Sequence, residues 1–167
     1  MRTLYHGGTS IVVHPLCAVG RDNLDFGKGF YLTDRREQAV EWATRIANTG
    51  LPQWLNIYRF DDERLDGYQK KTFTAYDGDW LQFIAESRRG LKPWVGFDII
   101  EGGVADDRVV DTIEYYLNGD ITVEMALRRL SMHRPNNQIC ILSQSVIENC
   151  LQHVGSEALN ELAQQRN

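Results

Sequence analysis

The sequence predicts a single α+β domain. The chain has 167 residues, of which 43% are hydrophobic and 25% are charged, and these proportions are ordinary for one globular domain. Short strand-like runs alternate with helical patterns of uneven length, and neither a fixed-period repeat nor a Ser/Pro-rich linker divides them. We therefore expect one domain over residues 1–155, followed by a polar, helix-prone C-terminal tail over residues 156–167.

The first half of the chain is expected to hold three strands and one helix. The strands are rich in β-branched and aromatic residues and are bounded by glycine or acidic residues: Thr3–His6, Gly29–Thr33 and Trp54–Phe60. Between the second and third strands, Asp34 and Glu37 resemble a capping box. Apolar residues then recur at helical spacing as far as Gly50, so we expect an amphipathic helix there.

The second half is expected to alternate helices with two short buried strands. Three helices begin at residues that are good N-caps: Asp77 or Asp79, Asp106 or Asp107, and Thr122. The strands cover Phe97–Ile100, closed by Gly102 and Gly103, and Gln138–Leu142. A short helix over Ser143–Leu151 follows the second of them.

A glycine-rich turn, Gly27–Lys28–Gly29, is followed at once by an aromatic strand. Glycine allows another backbone or a ligand to approach closely, because it has no Cβ and tolerates positive φ. Side chains alternate along a strand, so we expect Phe30 and Leu32 to face the core and Tyr31 to face a cleft. The simpler alternative is that Tyr31 only packs beneath the turn.

Charge and cysteine content exclude several classes of protein. A net charge of -5 argues against a broad nucleic-acid footprint. Three widely spaced cysteines form neither a disulfide framework nor a CxxC metal site: Cys17, Cys140 and Cys150. Reduced thiols and the lack of an apolar leader predict a cytoplasmic protein, and no run approaches the ~20 apolar residues of a membrane span.

Common catalytic motifs are missing from the sequence. The four histidines do not have metal-ligand spacing, and neither a Walker lysine motif nor a Rossmann GxGxxG is present, so no metal is expected. A Cys–His nucleophile could be built from Cys17 with His14 or from Cys140 with His133. Cysteine is more often a small buried hydrophobic residue, which is the reading we favour for both.

Three motifs in chain order resemble the His-Tyr-Glu class of ADP-ribosyltransferases, the poly(ADP-ribose) polymerase and diphtheria-toxin group. Leu4-Tyr5-His6-Gly7 resembles the first motif, and Gly27-Lys28-Gly29-Phe30-Tyr31-Leu32-Thr33-Asp34 is similar to the second, Gly-x-Gly-Ile-Tyr-Phe-Ala-Asp. Asn137-Gln138-Ile139-Cys140-Ile141-Leu142 resembles the third, Asn-Glu-Tyr-Ile-Val-Tyr. The resemblance implies a split antiparallel or mixed β-sheet flanked by helices, and it extends to compact bacterial toxin-like domains, some of which sit beside small antitoxin-type partners.

The resemblance also implies roles around bound NAD. Tyr31 and Trp42, which stands where the group commonly has a second tyrosine, would sandwich the nicotinamide. Gly7 would offer backbone groups to the carboxamide, and His6 would anchor a ribose hydroxyl. Gln138 would accept the 2′-hydroxyl of the nicotinamide ribose, beside the carbon where positive charge develops. The turn Gly27–Lys28–Gly29 belongs to the same expected NAD site.

The sequence departs from the group at Gln138, because a glutamine carbonyl stands where the group has a carboxylate. A charge-assisted bond of this kind is worth about 2–4 kcal/mol in the transition state, so chain elongation is not expected. Other carboxylates that could substitute cluster after a buried strand: Glu101, Asp106 and Asp107. Lys28 and Arg108 are candidates for the pyrophosphate.

We therefore expect an NAD-dependent mono-ADP-ribosyltransferase acting on a macromolecular acceptor, either protein or nucleic acid. One alternative is a module of the same fold that binds NAD or ADP-ribose without turnover, because Gln138 replaces the acid. A second is an interaction protein, such as a toxin held by a small partner. A third, an RNA 2′-phosphotransferase relative, is disfavoured by the acidic balance.

Overall fold

The computed structural model of the protein describes residues 1–20, 24–105, 109–133 and 136–165. Seven strands lie in these ranges: β1 Arg2–Gly8, β2 Phe30–Leu32, β3 Trp54–Phe60, β4 Lys70–Thr72, β5 Ile99–Gly103, β6 Asn137–Ile141 and β7 Leu151–Ala158. The same ranges hold six α-helices: α1 Arg36–Thr44, α2 Gly78–Arg88, α3 Val110–Asn118, α4 Val123–Leu130, α5 Gln144–Cys150 and α6 Glu161–Gln164.

The strands form two sheets joined at one point. The first is antiparallel, in the order β1-β3-β7, and the second is mixed, in the order β2-β6-β5-β4, with β4 parallel to β5. Tyr5 and Thr33 exchange backbone hydrogen bonds of 2.8 and 3.0 Å and so connect β1 to the end of β2. The predicted α+β class, with a split sheet flanked by helices, is confirmed.

The mixed sheet has a hydrophobic core on each face, because its side chains alternate. One face contributes Leu32, Ile139 and Ile141 to a cluster shared with the antiparallel sheet and α5. The other face contributes Ile100 and Cys140 to a second cluster with α2, α3 and α4. Both faces of the sheet are therefore covered.

Local capping chemistry produces two of the helices as predicted. The Asp77 carboxylate accepts a hydrogen bond from the Trp80 amide at 2.9 Å and starts α2. The Thr122 hydroxyl accepts one from the Met125 amide at 3.3 Å and starts α4. Gly119 ends α3 with a φ of +80°, a conformation that glycine adopts without strain.

The expected helix from Asp34 to Gly50 is wrong at both ends. Its N-cap is Arg35, with no side-chain hydrogen bond, because the Asp34 carboxylate instead accepts one from the Asn137 side-chain amide at 3.1 Å. The helix ends at Thr44, where the Asn48 amide satisfies the carbonyls of the last turn and bends the chain into a short 3-10 segment. Ile46, expected on the apolar face, is 92% exposed.

Two glycine pairs that were expected to end strands lie inside them. β1 continues through Gly7 and Gly8, and β5 continues through Gly102 and Gly103. Packing explains one case, because a Cβ on Gly102 would lie 2.9 Å from the Cβ of Phe73. Glycine here allows close approach of side chains rather than a turn.

The C-terminal segment is ordered into the fold. The expected division between domain and tail at residues 155–156 falls inside β7, which pairs along its length with β3. Ala163 of α6 is fully buried, and the Asn160 side chain caps that helix at the Ala163 amide. In the described ranges, no helix is both long and apolar enough to cross a bilayer.

Candidate functional site

A cavity of about 990 Å³ opens beyond the point where the two sheets meet. Its walls come from the ends of β1 and β2, from β6, from α1 and the residues after it, from the C-terminal end of α2 and from the loop after β1. Six of the sequence-predicted site residues line it: His6, Gly7, Gly29, Tyr31, Trp42 and Gln138. Gly27 and Lys28 are not among the lining residues.

His6 is fixed in one tautomer by the backbone. Its Nδ1 lies 2.8 Å from the carbonyl oxygen of Tyr31, and a carbonyl only accepts, so Nδ1 carries the proton. Burial lowers the pKa of the imidazole, which favours the neutral ring. The ring packs against Phe30 at 4.6 Å between centroids, and Nε2 keeps a lone pair.

Tyr31 alternates with its neighbours as predicted. Phe30 and Leu32 are buried in the core shared by the two sheets, whereas Tyr31 is half-buried at the cavity. The Tyr31 hydroxyl donates to the Gly27 carbonyl at 2.8 Å and accepts from the Phe26 amide at 3.1 Å. Burial raises the pKa of this hydroxyl. Burial therefore favours the neutral phenol, the turn occupies its hydroxyl, and the ring is the part that can contact a ligand.

The two glycines of the turn are required by packing within the protein. Gly27 has a φ of +93°, and a Cβ there would lie 2.5 Å from the Trp94 ring. A Cβ on Gly29 would lie 2.5 Å from the Ile141 carbonyl. Gly29 still contributes backbone to the cavity wall. Contacts within the protein, rather than the close approach of a ligand, explain why both positions are glycine. Lys28 is exposed.

Gly7 presents its backbone to the gap between the sheets. In an antiparallel ladder, successive residues point their N–H and C=O groups alternately toward one neighbour and the other. The backbone N–H and C=O of Tyr5 both bond to Thr33, on the edge of β1 that faces away from β3. Gly7 lies two residues later, so its N–H and C=O point out from the same edge. At Gly7 this edge borders the cavity, and a donor and an acceptor therefore lie side by side in the wall.

Gln138 brings an amide into the cavity from β6. It lies two residues from Cys140, which pairs with Tyr31, so all three side chains share one face of the sheet. Gln138 is only 4% exposed, and its Nε2 donates to the Gly103 carbonyl at 3.4 Å. Among the described residues none donates to its Oε1, so that oxygen is an acceptor open to a ligand.

Glu101, which was expected as a carboxylate that could substitute at the site, does not line the cavity. It pairs with Ile139 across β5 and β6, so it lies on the face opposite Gln138, away from the cavity. Its carboxylate accepts from Arg2 at 2.7 and 3.0 Å, from the Asn137 side chain at 2.9 Å, and pairs with Lys70 at 3.2 Å. These partners outweigh burial and lower its pKa to about 2. The remaining candidates Asp106, Asp107 and Arg108 lie outside the described residues.

The Glu101 ion pairs predict an acid-labile contribution to stability. The folded-state pKa lies below the ordinary value of 4.5, so the stabilisation is complete above 4.5 and is lost as pH falls toward 2. We expect Glu101→Gln to lower the free energy of unfolding at neutral pH by about 3 kcal/mol. Urea unfolding should show this difference shrink toward zero in strong acid. Glu148→Gln, at an exposed position on α5, is the control, and a pH-independent difference would contradict the assignment.

The cysteines are buried rather than nucleophilic. The Cys17 thiol donates to the Ile141 carbonyl at 3.2 Å, and burial raises its pKa to about 11. Burial also raises the pKa of Cys140. Neither thiol has a histidine among its hydrogen-bond partners in the described chain, so the Cys–His alternatives lose support. The described ranges contain no group of three or more His, Cys, Asp or Glu side chains placed to hold a metal.

Sequence reasoning missed several charged residues of the cavity. Asp25 and Arg88 line it as an ion pair, with Nη2 of Arg88 3.1 Å from Oδ1 of Asp25. Arg45 lines it as well, is exposed, and has no side-chain partner among the described residues. The pair spans 63 residues, and no spacing or periodicity in the sequence could have connected its members.

Comparison with protein families matches residues 2–153, nearly the whole chain, to a family described as "Protein of unknown function (DUF3990)". A comparison with curated proteins finds no match.

Proposed function

The chain belongs to the DUF3990 family, and we propose that it is an NAD-dependent mono-ADP-ribosyltransferase. It cleaves the bond between nicotinamide and ribose and transfers ADP-ribose to a macromolecular acceptor, either protein or nucleic acid. One observation carries the proposal: a single cavity gathers His6, Gly7, Tyr31, Trp42 and Gln138 from four separate segments of the chain. These are the residues to which the motif resemblance assigns the NAD site.

The shape and lining of the cavity support a dinucleotide. Its volume of about 990 Å³ lies at the upper end of the ~300–1,000 Å³ typical of small-molecule sites. Its aromatic side chains suit a planar leaving group. Arg45, exposed in the wall without a partner among the described residues, offers a positive charge to the pyrophosphate. Arg45 therefore replaces Lys28, which does not line the cavity, as our candidate for that contact.

The proposed chemistry assigns one task to each group. The N–H and C=O of Gly7 pair with the nicotinamide carboxamide, while Tyr31 and Trp42 hold the ring. Nε2 of His6 accepts from a ribose hydroxyl. Oε1 of Gln138 accepts from the 2′-hydroxyl of the nicotinamide ribose, and its dipole favours the positive charge that develops at C1′. The C1′–N bond breaks with its electron pair going to the ring nitrogen, so nicotinamide leaves neutral.

Because residue 138 is a glutamine, one non-enzymatic alternative is a module that binds NAD or ADP-ribose without turnover. A glutamine carbonyl carries only a partial charge, so its stabilisation of the transition state is weaker than that of a carboxylate. This alternative uses the same cavity and the same contacts. It differs only in predicting NAD binding without release of nicotinamide.

We also propose a cellular compartment and a protein partner. Three unpaired, buried cysteines favour a reducing environment, and we propose a cytoplasmic protein. The resemblance to compact bacterial toxin-like domains adds a small antitoxin-type protein as a proposed partner. Co-purification of such a partner without any NAD binding would favour a pure interaction protein instead.

Trp42→Ala is the variant that tests the site most cleanly. Trp42 is half-buried in the cavity wall, and its contribution is its ring, whereas Tyr31→Ala would also remove two hydrogen bonds that hold the turn. Stacking on an aromatic side chain is worth about 1–3 kcal/mol per base, so we expect NAD binding to weaken by roughly 5- to 150-fold. Nicotinamide release and NAD calorimetry are the measurements.

Tyr115→Ala serves as the matched control, because Tyr115 is 46% exposed on α3 and lies outside the cavity. Equal NAD affinities of the two variants would contradict the placement of the nicotinamide. If the parent protein neither binds NAD nor releases nicotinamide with cell lysate as the acceptor, the proposed function is wrong. Binding without release would select the non-catalytic alternative.

A further inference from the structure

The cavity contains an ion pair that none of the roles above uses. Arg88, at the end of α2, donates to Oδ1 of Asp25 through Nε at 3.2 Å and Nη2 at 3.1 Å. The side chains of Arg88 and Asp25 are only 22% and 17% exposed, and both line the cavity. Within the described ranges, Asp25 is the one carboxylate in its wall.

Backbone contacts locate Asp25 at the Tyr31–Gln138 end of the cavity. The amide of the next residue, Phe26, donates to the Tyr31 hydroxyl at 3.1 Å. The backbone of Ala105 lies near the Asp25 carboxylate and acts to lower its pKa. Gln138 donates to Gly103, two residues before Ala105. The carboxylate thus approaches the cavity from the side where Gln138 would hold the nicotinamide ribose.

We propose that Asp25 is the general base of the ADP-ribosyl transfer, with Arg88 as the residue that positions it. The inference rests on the proposed function. Gln138 has no group that takes up a proton at neutral pH, so a transferase built on this cavity needs another base for the acceptor.

The histidines of the cavity suit this task less well. Nδ1 of His6 is committed to the Tyr31 carbonyl, and its Nε2 is the group assigned above to a ribose hydroxyl. His14 is exposed on the loop after β1, and no contact orients its ring among the described residues. The Asp25 carboxylate, in contrast, is held by two hydrogen bonds from Arg88.

The surroundings of Asp25 adjust its basicity. Burial raises the pKa of the carboxyl, and the Arg88 charge with its hydrogen bonds opposes that rise. The two charged or titratable side chains of the described chain that act on it are Arg88 on α2 and the Tyr31 phenol on β2. A carboxylate of raised pKa accepts a proton more readily than a surface aspartate, and the neighbouring guanidinium favours its charged form.

The transfer step balances with these groups alone. The C1′–N bond breaks and its electron pair passes to the nicotinamide ring nitrogen. A lone pair on the acceptor oxygen or nitrogen forms the new bond to C1′. The acceptor proton moves to the Asp25 carboxylate, which afterwards gives it to water. With water as acceptor, the products are nicotinamide and ADP-ribose.

The test compares nicotinamide release by the parent protein with that by Asp25→Asn, Asp25→Glu and Asp79→Asn. Asn keeps the shape and can still accept from Arg88, but it takes up no proton. We expect Asp25→Asn to lower release roughly 100-fold while the Kd for NAD changes by less than about threefold. Asp25→Glu should recover part of the rate. Asp79→Asn, at an exposed position on α2, should match the parent.

The pH profile separates a base from a structural residue. The parent should lose activity as pH falls through the Asp25 pKa, and Asp25→Asn should lack that acidic limb. A rate for Asp25→Asn close to the parent's at every pH, or a loss of NAD binding equal to the loss of rate, would overturn the inference. No release by the parent would instead overturn the proposed function. If Asp25→Asn does not fold, the double variant Asp25→Asn/Arg88→Met removes both charges together and allows the same comparison.

Discussion

Gln138→Glu is expected to release nicotinamide from NAD roughly 30- to 1000-fold faster than the parent protein. On the proposed mechanism, the substitution converts a dipole into a full negative charge beside the carbon that becomes positive, which is worth about 2–4 kcal/mol in a site sheltered from water. Residue 138 is only 4% exposed and lines the cavity, so solvent screens this charge poorly. Single-turnover and steady-state nicotinamide release measure the effect.

The same substitution carries a cost in stability. The new carboxylate cannot donate the hydrogen bond that Nε2 gives to the Gly103 carbonyl, and it adds a second negative charge to a cavity wall that already contains Asp25. The Gly103 carbonyl keeps its other donor, Nε1 of Trp80 at 3.1 Å, so the loss of one hydrogen bond costs about 0.5–1.5 kcal/mol and the variant should unfold at a lower urea concentration. Burial and the like charge also raise the pKa of the new carboxyl, so the gain in rate should grow as pH rises.

Gln152→Glu is the matched control, because it makes the same chemical change at an exposed position of β7. It should leave nicotinamide release unchanged. A Gln138→Glu protein that folds, binds NAD and is no faster than the parent at any pH would contradict the placement of Gln138 beside the reacting carbon. A large gain would identify the parent as a slow enzyme whose rate is limited by this one amide.

Features encoded within a few residues were accessible from the sequence. The alternation around Tyr31 and the N-caps at Asp77 and Thr122 depend on neighbouring residues, and the structure agrees with them. The motif resemblance also identified six of the residues that line the cavity, because a motif specifies which residue types occupy the end of a strand. His6, Tyr31 and Gln138 lie 25 to 132 residues apart in sequence and share one cavity.

Features that arise from packing were not accessible. β7 has polar residues and Gly155 within it, and it is a strand because β3 pairs with it. The helix α1 ends where the Asn48 side chain donates to carbonyls of its last turn. The spacing of apolar residues gives no signal of this contact. The pairing of Asp25 with Arg88 depends on how α2 packs beside the glycine-rich turn. In each case the feature depends on a contact that forms only in the tertiary structure.

Gly7→Ala should be the most destabilising single substitution considered for this protein. A Cβ at Gly7 would lie 1.7 Å from the Ala39 carbonyl oxygen and 2.9 Å from the Ala43 amide nitrogen, so β1 and α1 would have to separate. Both alanines are fully buried, and the obstacle is helix backbone that no rotamer change can move aside. We expect a loss of at least about 4 kcal/mol in the free energy of unfolding, measured by urea denaturation.

Gly155→Ala provides the control, because an added Cβ on this β7 glycine has no heavy atom within 4 Å. Its free energy of unfolding should stay within about 1 kcal/mol of the parent's. Equal stability of Gly7→Ala and the parent would mean that the helix does not press on this strand. The contact matters for function because α1 carries Trp42 and β1 carries His6. A folded Gly7→Ala protein with the helix displaced should therefore also bind NAD more weakly, whereas Gly155→Ala should not.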